Sequence, residues 1–195
     1  MTTIRKELRD SRSRPTEKPL GFTTAGAVRQ IMTIERVGDL LKGIGPDAGE
    51  QLDKEMIWKH LRQILAILIT IKWNNWSTFE EVFLRELDTF NRPERGDHQL
   101  PFLDLSFLEE DVREDFDDVQ YLFKPIIIEE NTHHTYTEKY RVPFIKSRER
   151  GDGGFGVVTE ELVEKNQIKY EYDNGAAKTL NPRVRSTFWN YQVLL

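Results

Sequence analysis

The chain has 195 residues, enough for one domain or two small ones. Its 28 Lys and Arg against 33 Asp and Glu leave a formal net charge of −5, which disfavours a general binder of nucleic-acid backbones, because such a surface must be basic. It has no cysteine, so a disulfide framework, a thiolate metal site and a cysteine nucleophile are all excluded. With 38% hydrophobic and 11% aromatic residues it can build a core.

Residues 1–28 are polar, basic and interrupted by Pro15, Pro19, Gly21 and Gly26, so they read as a disordered leader. A nucleic-acid arm is the other reading of Arg5, Lys6, Arg12, Arg14 and Lys18, but Glu7, Asp10 and Glu17 are interspersed among them. The opening residues have no apolar core of a secretory signal, and the longest apolar run, 64–71, is far shorter than the roughly 20 residues of a membrane span. A cytoplasmic protein without membrane contact is therefore expected.

Ile31, Ile34, Val37, Leu40 and Leu41 recur at helical spacing before Gly43, Gly45 and Pro46 end the pattern. A second helix is predicted over 49–73. Its segment 64–71 is apolar on every side, which requires burial from most directions. Ser77 with Glu80 three residues on has the form of a capping box, opening a helix through about residue 88 with Phe79, Val82, Phe83 and Leu87 on its core side. Trp58, Trp73 and Trp76 fall in this region, and core packing accounts for them more simply than a partner does.

Between 104 and 118 stand eight carboxylates: Asp104, Glu109, Glu110, Asp111, Glu114, Asp115, Asp117 and Asp118. Such density suits a cation or an acid–base pair. Yet Leu105, Leu108, Val112, Phe116 and Val119 interleave at helical spacing and no calcium-loop pattern is present, so a solvated helix face is expected. At Tyr121 the period changes: 121–128 is short, aromatic and β-branched and reads as a strand kinked by Pro125, with a second extended stretch at 133–142. Adjacent His133 and His134 would point to opposite faces of a strand, which suits a shared metal ion poorly, and no metal is predicted.

The segment with chemical potential is Gly151-Asp-Gly-Gly-Phe-Gly-Val-Val158, a G-x-G-x-x-G-x-V pattern. Without Cβ atoms, such residues let a backbone approach phosphates closely and turn its N–H groups towards them. A valine after the last glycine offers an apolar contact to a base. A dinucleotide-binding loop shares the glycines but feeds a helix, with an acid about 20 residues further on. Here the continuation, 157–165 and then 167–172, reads as strand, turn, strand. A plain hairpin rich in glycine is the simpler alternative.

Residues 149–158 resemble the glycine-rich loop of eukaryotic-type protein kinases. The preceding part resembles the helical region found ahead of the kinase domain in fungal serine/threonine protein kinases, through Ile64-Leu-Ala-Ile-Leu-Ile, Leu100-Pro-Phe and Tyr140-Arg-Val-Pro-Phe-Ile. The likeness covers roughly residues 30–180. It implies that Gly151, Gly153, Gly154, Gly156 and Val158 cover ATP, with Phe155 over its phosphates. It also implies a phosphate-holding lysine on the next strand. Lys178, in Ala176-Ala-Lys178, has a tolerable spacing, but Asp173-Asn-Gly175 before it is turn chemistry and favours a loop lysine.

The rest of the kinase pattern is missing. His-Arg-Asp, Asp-Phe-Gly (after the loop) and Ala-Pro-Glu do not occur, and 45 residues from Gly151 onward are far fewer than the roughly 250 of a kinase domain. Without the catalytic Asp and the magnesium ligands, phosphoryl transfer has neither a base nor charge neutralisation. The expectation is an α+β chain in four parts: a disordered leader (1–28), a helical region with terminal strands (29–145), a partial kinase N-lobe hairpin (146–180) and an apolar tail (181–195). Functionally it is expected to be a truncated, kinase-like protein with weak or no ATP affinity and no activity alone. The alternative is a non-enzymatic interaction module that meets a protein partner through its helices, with a vestigial glycine loop.

Overall fold

The computed structural model describes residues 1–13, 21–44, 52–129, 134–135, 137–153, 156–164, 167–169, 183–189 and 192–194. The fold is α+β, and the chain divides into a helical unit (1–12 and 23–124) and a sheet unit (13–22 and 125–195). This division precedes the boundary expected at 145/146. The reason is that Ile126, Ile128 and Phe144 share a core with Val163 and Ile168, so 125–145 belong with the strands.

Among the described residues the helical unit holds seven α-helices: α1 (Thr2–Asp10), α2 (Ala25–Ile31), α3 (Ile34–Ile44), α4 (Lys54–His60), α5 (Arg62–Thr70), α6 (Phe79–Phe83) and α7 (Glu110–Phe123). The expected disordered leader is thus partly helical. Ile4 and Leu8 of α1 are buried, and Glu7 takes a two-pronged ion pair from Arg36 of α3, whose Nη2 donates to Glu7 Oε1 at 3.1 Å. That guanidinium holds the Glu7 carboxyl below its ordinary range. The α2 helix starts where Thr24 Oγ1 accepts the amide of Ala27 at 3.1 Å, a short-range N-cap.

The helix expected over 49–73 is two helices. Asp53 caps α4 by accepting the amides of Glu55 and Met56 at 2.9 and 3.1 Å. At Leu61 (φ −129°, ψ 11°) the chain leaves helical geometry, and α5 begins anew. Its cap comes from far along the sequence. The Asp97 carboxylate accepts the amide of Gln63 at 3.0 and 3.1 Å and that of Ile64 at 3.0 Å. Burial pushes the Asp97 carboxyl up to about 6, against the opposing pull of those two amides and of Arg62 and Lys124. Residues 63–69 of α5 are all buried, as the unbroken apolar run requires. Gln63, the polar residue at its start, donates to the carbonyl of Phe123 at 2.7 Å.

The capping box expected at Ser77 does not form. A 3₁₀ turn, Trp76–Thr78, precedes α6, and Ser77 Oγ donates to Asn75 Oδ1 instead. The helix ends at Phe83 rather than near 88. The acidic stretch behaves as expected: on α7 Glu110, Asp111, Glu114, Asp115 and Asp118 are exposed while Phe116 is buried. The strand expected from Tyr121 is corrected, since 121–123 are the last turn of α7. Gln120, buried at the foot of that turn, clamps the backbone of Phe102 by accepting its amide at 2.7 Å and donating to its carbonyl at 3.1 Å.

In the sheet unit, strands β1 (Ile128–Glu129) and β5 (Ile168–Lys169) form a short parallel pair. The strands β2 (His134–Thr135), β3 (Phe144–Gly153), β4 (Gly156–Val163), β6 (Arg183–Trp189) and β7 (Gln192–Leu194) form an antiparallel sheet in the order β2-β7-β6-β4-β3. The segment expected as a separate tail therefore contributes two strands to the same sheet as the glycine hairpin. Among the described residues of the extended stretch expected at 133–142, only 134–135 are strand, while 138–140 form a turn and bend; His133 and Tyr136 lie outside the described residues.

Candidate functional site: the glycine hairpin

The glycine pattern lies where β3 runs into β4. Across the hairpin Gly151 faces Val158, Asp152 faces Val157 and Gly153 faces Gly156, so the spacing of the signature residues becomes a set of cross-strand pairs. Two residues, Gly154 and Phe155, join the strands, which is the length of the tightest hairpin connections. Both lie outside the described residues, as does Lys178. Of the expected nucleotide-contacting residues, the structure brings Gly151, Gly153, Gly156 and Val158 together at one end of the hairpin.

The segment after the loop is a strand, antiparallel to β3 and paired on its other side with β6. This is the strand expected after the glycines, and it differs from the helix that succeeds a dinucleotide-binding loop. Two register shifts interrupt β3, one between Phe144 and Lys146 and one between Glu149 and Gly151. The second inserts Arg150 as an extra residue directly before the first glycine. Bulges of this kind bend and twist a strand and re-aim the residues beyond them.

Gly151 is exposed, and a Cβ built there would meet nothing within 4 Å. The space over the first glycine is thus open to a ligand. Further down the hairpin, a hollow of about 180 Å³ is bordered by Lys146 and Arg148 of β3 and Glu160 and Leu162 of β4. These residues alternate along their strands and pair across them, Lys146 with Leu162 and Arg148 with Glu160, so they share one face. Phe144, Glu161 and Val163 are buried. Lys146 and Arg148 bring two cations to this face and Glu160 one carboxylate. The hollow is smaller than the roughly 300–1,000 Å³ of small-molecule sites.

The strand next to β4 is where a kinase carries its phosphate-holding lysine. Here β6 reads Arg-Val-Arg-Ser-Thr-Phe-Trp and contains no lysine; Arg185 stands opposite Glu160 in register. The placement of Arg148 and Arg185 on either side of Glu160 escapes motif reasoning. Its signal is the complementary run of Lys146-Ser-Arg-Glu-Arg150 and Thr159-Glu-Glu161, legible once the two-residue connection fixes the register.

In the helical unit His98 Nε2 lies 3.9 Å from Asp88 Oδ2, which also receives Arg92 Nη2 at 2.7 Å. The Arg92 side-chain hydrogen bond, with the amides of Arg92 and Phe90, holds the Asp88 carboxyl down at about 2 against the effect of burial. Among the described residues no group of three or more His, Cys, Asp or Glu side chains is placed to hold a metal ion, and no helix is long and apolar enough to cross a membrane. Compared with protein-family models, curated proteins and solved structures, the chain has no match.

Proposed function

We propose that the chain is a kinase-like nucleotide-binding protein whose glycine hairpin meets the phosphates of ATP weakly and which does not transfer phosphate by itself. The observation that carries this reading is the pairing of Gly151 with Val158 and Gly153 with Gly156 in a hairpin that feeds a strand. The open space at Gly151 and the cations Lys146 and Arg148 on the hairpin support phosphate as the group received. In this reading the hairpin is one wall of a cleft. The backbone would approach the phosphates at the glycines, and the basic side chains would offset their charge. Within these 195 residues no His-Arg-Asp or Asp-Phe-Gly sequence supplies a base or magnesium ligands.

Titration with a fluorescent ATP analogue tests this. A dissociation constant on the order of 1 mM is expected, lost in the Gly153→Ala/Gly156→Ala double variant. Binding that ignores the double variant would remove the hairpin from the reading, and phosphate transfer from labelled ATP would overturn the non-catalytic part.

A second reading, an interaction module working through the helical unit, is favoured by two apolar side chains left in solvent, Phe90 at 76% and Leu103 at 91% exposure. Here Phe90→Ser with Leu103→Ser would abolish capture of a protein partner while leaving nucleotide affinity intact.

A further inference from the structure

At the C-terminal end of α5 the helical unit has a cavity of about 300 Å³, at the lower end of the range for small-molecule sites, bordered by Arg5, Ile69, Lys72, Trp73, Asn74 and Trp76. Trp73 and Trp76 meet edge to face with ring centroids 5.2 Å apart and, with buried Ile69, supply apolar surface. No acidic residue borders the cavity, although acids outnumber bases in the chain. Arg5 and Lys72 bring two cations to it, and neither is in an ion pair among the described residues.

Two local oddities coincide there. Trp73 is buried, yet its indole Nε1 has no hydrogen-bond partner, whereas buried N–H groups are almost always paired. Lys72 adopts a left-handed backbone, with φ 62°. It does so at the turn that closes α5, where the amide of Trp73 donates to the carbonyl of Leu68 at 2.9 Å and that of Lys72 to the carbonyl of Ile69 at 3.3 Å. This is a Schellman closure, and the residue at Lys72 is the one that is most often glycine, because a side chain there crowds the backbone. A strained lysine where glycine serves the fold better is the kind of outlier that clusters at ligand sites.

We propose that this cavity binds a small organic carboxylate with a flat apolar body. The body lies against the two tryptophans, and the carboxylate is held between Arg5 and Lys72. This site is independent of the glycine hairpin.

The test uses the full chain without an N-terminal tag, labelled with ¹⁵N, and monitors the indole N–H signals. The probe is 3-phenylpropionate, and its uncharged counterpart 3-phenylpropanol is the control. Saturable shifts of the Trp73 and Trp76 signals are expected with the carboxylate, with the alcohol at least about tenfold weaker, as loss of a charge-assisted hydrogen bond implies. Lys72→Gly should weaken the carboxylate by about tenfold or more while raising the melting temperature, because the strain is relieved. Arg5→Gln should weaken it with the melting temperature unchanged. Equal binding of acid and alcohol, absence of saturable shifts, or full affinity in Lys72→Gly would each overturn the proposal.

Discussion

The helical unit and the sheet unit satisfy their backbones by different means. The helical unit buries α5 almost completely and closes its ends with groups distant in sequence: Asp97 on its first amides, Gln63 on the carbonyl of Phe123, Gln120 on Phe102. Around it lie the aromatic rings of Trp73, Phe79, Phe83 and Phe107, in successive contacts of 5.5 to 6.5 Å. The sheet unit pairs its backbone along ladders, and its core among the described residues is five side chains, Ile126, Ile128, Phe144, Val163 and Ile168. The glycine hairpin extends from that smaller core.

That contrast breaks first at the core. Leu65→Ala in α5 should cost about 4 kcal/mol, against about 2 kcal/mol for Ile168→Ala, whose sparse surroundings can collapse onto the gap. Chemical denaturation read by hydrogen exchange in each unit measures both, and equal losses would abolish the asymmetry.

The next effect is at the long-range cap. Asp97→Ala should cost about 2 kcal/mol by stripping two helix amides. Asp97→Asn keeps an acceptor and removes a buried charge, so at pH 7 it should stay within about 0.5 kcal/mol of the parent. Because the folded carboxyl titrates at about 6 rather than at its ordinary 3.8, the folded state holds its proton more tightly. The parent's stability from this group is therefore full below about 4 and is lost as pH rises through about 6. Melting curves from pH 4 to 7 should carry that slope in the parent and lose it in Asp97→Asn.

The smallest effect sharpens the contrast from the other side. Gly151→Ala adds a methyl group to open space, so stability should change by no more than about 0.5 kcal/mol. Affinity for the ATP analogue should nevertheless fall, because the added Cβ occupies room that only a ligand would use.

Periodicity made much of the architecture legible. The apolar run at 64–71 announced a buried helix, the acidic face of α7 was visible in its interleaved Leu108, Val112 and Phe116, and glycine spacing placed the β3–β4 hairpin. What escaped depends on partners far away in the chain. Helix α1 has two buried apolar residues and is tied down by Arg36, 29 positions beyond Glu7. The break at Leu61 has no local glycine or proline, and the new helix after it is capped by a carboxylate 34 and 33 residues downstream of the Gln63 and Ile64 amides it accepts. Tyr121-Leu-Phe has strand-forming composition, but burial of Tyr121 and Phe123 with the Gln63 bond to the Phe123 carbonyl keeps it helical, a case of tertiary contacts overriding propensity. At the site, the glycines were legible because their spacing is itself the geometry. The cationic face of Lys146 and Arg148 was not, since it emerges only once a register is known.

The cap of α5 by Asp97 has a topological consequence. It closes the intervening segment into a loop by hydrogen bonds alone, with no covalent link. Lengthening such a loop costs little, since closure entropy grows only with the logarithm of its length, so α6 and the turns around it form a natural place for insertions. Cutting it is another matter. A proteolytic nick between residues 71 and 96 would leave the most deeply buried helix and its cap on separate fragments, held together by packing and those hydrogen bonds without a covalent link.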